Sequence, residues 1–299
     1  MSMSSAAEPA PMGATFAHPR ATWLCPNTGR LLAQGELMQA MARKRVVLLG
    51  ETHDVAEIHR WQLHVTTCLH LLRPQMAVGF EMFPLRIQPV LDAWVAGEMD
   101  TASFIERSEW AQVWGFDPEL YLPLFHFCRQ QRVKMLALNC HRPLVTRVGQ
   151  VGWEAIPVEE RDGVTPSAPA TEGYRAYLAA ITGRFSGAAK PEAMAPERFD
   201  RFVRAQQCWD RSFACRVADH LAGAKDDPLV VGIIGRGHLE YGHGTPFQLR
   251  DLGIEDVAVL LPATDAAPEA EPLAGIADAL FRLDTPEPPQ SRRTPRAAS

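Results

Sequence analysis

Apolar positions along this chain follow two rhythms. Four short runs are apolar at nearly every position, and each breaks off into polar residues. Residues 45–49 lead into Gly50-Glu51-Thr52-His53-Asp54, and residues 76–80 into Glu81-Met82-Phe83. Residues 133–138 lead into Asn139-Cys140-His141-Arg142, and residues 229–234 into Gly235-Arg236-Gly237-His238. A fifth apolar run covers residues 257–261. Short unbroken apolar runs separated by helical patterns read as buried strands of a parallel sheet. The second rhythm is helical. It predicts helices over residues 35–43, 55–72 (closed by Pro74), 85–96 (stopped by Gly97) and 101–114. Asp117-Pro118-Glu119 has the form of a helix start, and that helix runs to about Gln131. Residues 197–222 form a long helix with a stripe of Phe199, Phe202, Trp209, Phe213, Val217 and Leu221.

The alternation predicts an α/β fold: a central, mostly parallel sheet flanked by helices. The third and fourth runs are about ninety residues apart, far more than one crossover helix needs. The excess predicts a helical insertion or lid subdomain at about 143–222, with a polar, Pro-rich loop at 157–173 and a stretch rich in Gly, Ala and Pro at 183–196. Residues 1–20 and 285–299 have the composition of disordered ends, leaving one domain over 21–284.

In parallel sheets ligands bind beyond the carboxyl ends of the strands, so the four polar signatures are expected to converge. Glu51 and His53 are two residues apart and face the same side if the strand continues. Gly50 would permit an unusual backbone angle there, and Asp54 is a good capping residue for the next helix. His59 and Gln62 share a helical face, so His59 offers a second imidazole or a half-buried surface group. Glu81 ends a buried strand, where a carboxylate is costly unless paired, protonated or bound to a cation; Arg86 and Arg142 are candidate partners. Gly235 to His238 repeats the spacing of Gly50 to His53. Gln206 and Asp210 interrupt the long helix's apolar stripe one turn apart, and Tyr241 and His243 follow in a glycine-rich loop.

Composition narrows the classes. The 299 residues are 46% hydrophobic and 22% charged, with a net charge of −5, which argues against a nucleic-acid binder. No apolar stretch approaches a membrane span, and residues 1–17 do not form a signal peptide. The expectation is a cytoplasmic protein, or a periplasmic or membrane-anchored one if the start is truncated. None of the six cysteines forms a C-x-x-C pair, and most read as small buried hydrophobes. Metalloprotease, nucleophile-elbow and P-loop motifs are absent.

The ordered set Gly50-Glu51-Thr52-His53-Asp54, His59, Gln62, Phe80-Glu81-Met82-Phe83, Gln88-Pro89 and Leu91-Asp92 resembles ChaN-type haem-binding uptake proteins. So do Tyr121-Leu122-Pro123-Leu124, Ala137-Leu138-Asn139, Ala205-Gln206, Trp209-Asp210, Gly235-x-Gly237-His238 and Tyr241-Gly242. The wider superfamily includes Tiki proteases, TraB-like proteins and erythromycin-esterase-like enzymes. Its pattern of two G-x-x-H motifs plus a glutamate falls here on Gly50–His53, Gly235–His238 and Glu81. The resemblance implies an α/β core with a helical lid, and haem binding linked to iron uptake or handling.

Two functions follow as expectations. A haem-binding protein needs an apolar slot and an axial ligand. Tyr241 and His243 are the candidate ligands, with His59 and Gln206 as further cofactor contacts. The alternative is a metal-dependent hydrolase, protease- or esterase-like. Glu51, His53, Glu81 and His238 would form an N/O set for Zn, Mn or Co, and would also be the catalytic groups. A third reading is that the cluster only knits the insertion to the sheet. A homodimer is left open.

Overall fold

The computed structural model describes residues 18–185, 194–263 and 273–283. Residues 1–17 of the expected disordered start, the expected disordered tail and most of the 183–196 loop lie outside the described residues. The chain opens with β1 (Trp23–Leu24), β2 (Leu31–Leu32), α1 (Gln34–Ala42), β3 (Val46–Glu51), α2 (Ala56–Leu72) and β4 (Met76–Pro84). Next come α3 (Gln88–Ala96), α4 (Thr101–Arg107), α5 (Trp110–Val113), α6 (Leu122–Gln131) and β5 (Lys134–Asn139). The remainder is α7 (Arg142–Val151), α8 (Glu172–Phe185), α9 (Pro196–Gly223), β6 (Leu229–Gly235), α10 (Thr245–Asp251), β7 (Val257–Ala263) and β8 (Ala279–Arg282).

These strands form one sheet in the order β2-β1-β8-β7-β3-β6-β4-β5. The five strands expected from the apolar runs are the parallel block β7-β3-β6-β4-β5. β8 extends it in parallel, and β1 and β2 add an antiparallel edge. Helices cover both faces, which is why β3 and β6 are buried at every position. Val47, Leu49, Val78, Phe80, Val231 and Ile233 face one core with Ile58, Val65, Leu91 and Phe125 of the first helices. Their neighbours Val46, Leu48, Ala77, Leu138, Val230 and Ile234 face the other, against Phe213, Val217 and Leu221 of α9 and Leu249 of α10. The C-terminal half of the long helix is thus packed on the sheet, and Ser212 Oγ donates to Leu138 O at 2.9 Å.

Two expected helices are broken. The stretch 101–114 splits into α4 and α5 because Glu109 adopts a left-handed φ of 53°. Asp117 caps its own turn, accepting from Glu119 N, but that turn is a short 3-10 helix, Pro118–Leu120, before α6 begins. Gly97 ends α3 at φ 84°, as its type leads one to expect. At the β5 edge of the sheet, Gln88 caps the strand: its Nε2 donates to Met135 O at 2.8 Å, and its Oε1 accepts from Ala137 N at 2.8 Å. One side chain thereby occupies two of the backbone groups that a further strand would have used.

Candidate functional site

Because β3, β6 and β4 are adjacent and parallel, their terminal residues share one edge of the sheet. On β3, Glu51 is buried, and its Oε1 accepts from His53 Nδ1 at 2.7 Å and from the Tyr121 hydroxyl at 3.1 Å. An ionised carboxylate only accepts, so Nδ1 of His53 carries the hydrogen. His59 closes the pair from behind: its Nε2 lies 3.1 Å from His53 O, and its Nδ1 lies 3.0 Å from Gln62 Oε1. Glu51 Oε2 stands 3.3 Å from His59 Nδ1 without a hydrogen bond. Burial pushes the Glu51 carboxyl up, but the charges of His59 and His53 and the donors on Oε1 hold it below its ordinary range. Burial also opposes charge on His53, and Glu51 and Glu81 outweigh it, raising that imidazole's pKa.

Gly50 serves space, not an unusual dihedral. Its φ is not left-handed, and a Cβ there would stand 2.2 Å from Leu261 Cδ2. Asp54 does not cap α2: the N-cap is Val55, with no side-chain bond.

Glu81 reaches the same edge from β4, where the register with β5 shifts between Phe80 and Pro84. Such irregularities re-aim side chains. Glu81 Oε2 accepts from Gly235 N at 2.5 Å, and Asn139 Nδ2 donates to Glu81 O at 2.8 Å. Neither expected arginine takes part as an ion-pair partner, and Arg86 pairs with Glu109 at 2.5 Å. A Cβ on Gly235 would sit 2.9 Å from His53 Cε1 and 3.3 Å from Glu81 Oε2, so a glycine is what lets both approach.

His238 follows β6 and has its own carboxylate. Its Nδ1 lies 2.9 Å from Asp210 Oδ1, which also accepts from Thr245 Oγ1 at 3.0 Å. Tyr174 donates to Oδ2 of the same residue. Burial disfavours the His238 charge, yet Asp210, helped by Glu81, raises its pKa to about 9. The His238 charge in turn acts on His53, which places the two rings in one electrostatic neighbourhood. The site therefore holds two carboxylate-backed imidazoles, Glu51–His53 and Asp210–His238, with Glu81 acting on both. Among the described residues no hydrogen bond occupies Nε2 of either ring.

The set expected to bind metal is not assembled that way. Among the described residues, no group of three or more His, Cys, Asp and Glu side chains is arranged to hold an ion. Each Nδ1 is held by a carboxylate, and Glu81 is turned to a backbone N–H.

The other expected residues lie at differing distances from this centre. Gln206 is half-buried on α9, one turn before Asp210. Tyr241 has a left-handed φ of 58°, its N–H donating to Ile276 O at 3.0 Å. Its ring meets Tyr177 edge-on at 5.8 Å and lies 6.0 Å from His243. His243 is 6.2 Å from Tyr174, and burial lowers its pKa, leaving a neutral imidazole. These rings adjoin an apolar cluster of Leu178, Val203, Phe199 and Phe202 between α8 and α9. Tyr121 is marked in the sequence only as part of the Tyr121-Leu122-Pro123-Leu124 resemblance, with no role given, and sequence reasoning missed the roles of Tyr174 and Thr245. Asp210 did carry a signal, as a polar break in an apolar stripe.

A family model described as "Haem-binding uptake, Tiki superfamily, ChaN" matches residues 37–249. The chain belongs to this family. The ChaN of Campylobacter jejuni, whose structure is described as showing cofacial haem binding, is 20% identical with a TM-score of 0.68. That match covers 87% of this chain and 95% of the other. A mutant of the erythromycin esterase EreC in its open conformation superposes with a TM-score of 0.50 at 12% identity, over 90% of this chain and 98% of that one. The chloroplastic protein RETICULATA-RELATED 5 of Arabidopsis thaliana is 24% identical over 217 residues. The ChaN-family chain spans 28% of the length of that plant protein. At these identities the structural likenesses show the α/β fold itself.

Proposed function

We propose that this chain binds haem reversibly and takes part in haem or iron handling. The observation that carries the reading is the ChaN-family match over residues 37–249. The residues present fit the group. Tyr241 offers a phenol and His243 a neutral imidazole, both usable as axial ligands, beside apolar walls from α8 and α9. His59 is buried against Tyr121 and bonded to His53 O, so its part is to support the Glu51–His53 pair. Haem would be cargo: Tyr241 or His243 would offer its iron a ligand, and the apolar residues of α8 and α9 would adjoin it.

Titration of the purified chain with hemin should give a saturable Soret band. Tyr241→Phe or His243→Ala should shift that band with the far-UV circular dichroism unchanged. Absence of saturable binding in the wild type would overturn the reading.

A second reading is favoured by the two carboxylate-backed imidazoles whose Nε2 atoms make no hydrogen bond. That arrangement suits acid–base hydrolysis of an ester or amide without a metal. The His238 pKa of about 9 makes that ring a proton donor at neutral pH, beside the Glu51–His53 pair and the Glu81 carboxylate. Hydrolysis of activated esters that is lost in Glu81→Gln and His238→Ala, and that survives chelation, would support it. Equal background rates in all three proteins would remove it.

A further inference from the structure

Arg236, the second residue of the Gly235-Arg236-Gly237-His238 signature, enters neither reading. It stands at the carboxyl edge of the sheet, where a Cβ on Gly50 of β3 would lie 3.4 Å from Arg236 Cβ. α8 passes close to the same turn, since a Cβ on Gly237 would lie 4.0 Å from Ile181 Cδ1. Arg236 Nε donates to Glu240 Oε1, and the Tyr177 hydroxyl of α8 donates to Glu240 Oε2 at 2.8 Å. The Glu240 side chain is 6% exposed and that of Arg236 28%. A carboxylate buried so far needs both partners.

The guanidinium is only partly used by this pairing. An arginine that closes a pair on itself sets two parallel N–H groups against both oxygens of one carboxylate. Here Glu240 offers a single oxygen, because Tyr177 holds the other. Among the described residues no acceptor meets Nη1 or Nη2 of Arg236. The group is therefore fixed at Nε, with its outer pair of nitrogens open. Tyr177 also ties it to the candidate axial ligands: its ring is 5.8 Å from that of Tyr241 and 6.2 Å from that of His243. Other arginines beside these rings are differently placed. Arg175 pairs with Asp200, and Arg250 rests against Gly242 O at 3.5 Å.

We propose that Arg236 is the anion anchor of the cofactor site: Nη1 and Nη2 clamp a haem propionate, while Glu240 and Tyr177 hold the guanidinium in place. The proposal rests on the haem reading and names the group that recognises the charged edge of the ring. Haem carries its two carboxylates on one side of an otherwise apolar plane, away from the iron. A ring held through Tyr241 or His243 therefore calls for a cation beside the axial ligand, not on it. A fork of two N–H groups matches a planar carboxylate, and a charged pair of this kind outweighs a neutral hydrogen bond. Fixing the guanidinium beforehand lowers the entropy lost when the ligand arrives.

The test titrates the full chain with hemin and with hemin dimethyl ester, in which both propionates are neutral, and follows the Soret band. Arg236→Gln should weaken hemin binding about tenfold or more, the loss expected for a charge-assisted hydrogen bond, and leave the affinity for the dimethyl ester as in the wild type. Arg250→Gln should leave both affinities unchanged. Arg236→Gln alone leaves Glu240 buried without its cation. If that variant folds poorly, the double variant Arg236→Gln/Glu240→Gln should show the same selective loss. In the wild type itself, added salt should weaken binding of hemin and not of the ester. No saturable hemin binding by the wild type would overturn the haem reading and the proposal together. Hemin binding that is saturable but unaffected by loss of Arg236 or by salt, an equal loss for the dimethyl ester, or a loss in Arg250→Gln instead would overturn the proposal alone.

Discussion

Replacing Asp210 by Asn leaves the shape of the side chain and removes its charge. In the native protein Asp210 accepts from His238, Thr245 and Tyr174, and the His238 pKa stands at about 9 against an ordinary 6.5. That gap of about 2.5 units corresponds to ~3.4 kcal/mol of preference for the charged ring in the folded state, as an upper estimate. Burial alone would push His238 the other way, so most of the gap is lent by Asp210, with Glu81 second. Asp210→Asn should therefore lower the His238 pKa by ~2 units or more, read by NMR titration of the ring protons. The sign of the stability effect follows. A pKa raised on folding stabilises fully below about 6.5, and that stabilisation is lost as pH climbs through about 9. Urea unfolding of both proteins across this range should show a gap that is widest near pH 6 and narrows towards pH 9. Any part of the gap that does not change with pH reports the hydrogen bonds to Thr245 and Tyr174. A His238 pKa that stays near 9 in the variant, or a gap that is flat with pH, would refute the assignment of the shift to Asp210.

Gly235→Ala would force a Cβ to 2.9 Å from His53 Cε1; it should cost ~1–3 kcal/mol of stability and displace the His53 ring, seen as a changed titration of that imidazole. Tyr121→Phe removes the hydroxyl shared by Glu51 and His53 O; a loss of ~1 kcal/mol in denaturant unfolding is expected, with the His53 pKa still raised by Glu51. Gln88→Ala uncovers Met135 O and Ala137 N on the edge strand; unfolding stability should fall by ~1–2 kcal/mol and aggregation on heating should increase, and an unchanged aggregation profile would count against its role as an edge cap.

What the sequence determined by itself is the parallel block and the local half of the site. A strand buried on both faces must be apolar throughout, so β3, β4, β5, β6 and β7 are visible as runs. Glu51 and His53 meet because they are two residues apart, a contact no distant element has to arrange, although β3 ends at Glu51 and His53 stands in the turn that follows instead of on a continued strand. The three strands at the β2 end of the sheet were not legible. β1 and β2 have two residues each and β8 has four, too few for any period, and only their pairing makes them strands. The break between α4 and α5 turns on one left-handed residue, Glu109, whose type does not announce it. Only the tertiary structure decided which carboxylate backs His238. Asp210 lies 28 residues away on another element, and α9 delivers it because Phe213, Val217 and Leu221 dock the helix on the sheet. A buried carboxylate and a buried imidazole satisfy each other at the first contact the packing offers, and those contacts depend on register and helix placement, which no single segment encodes.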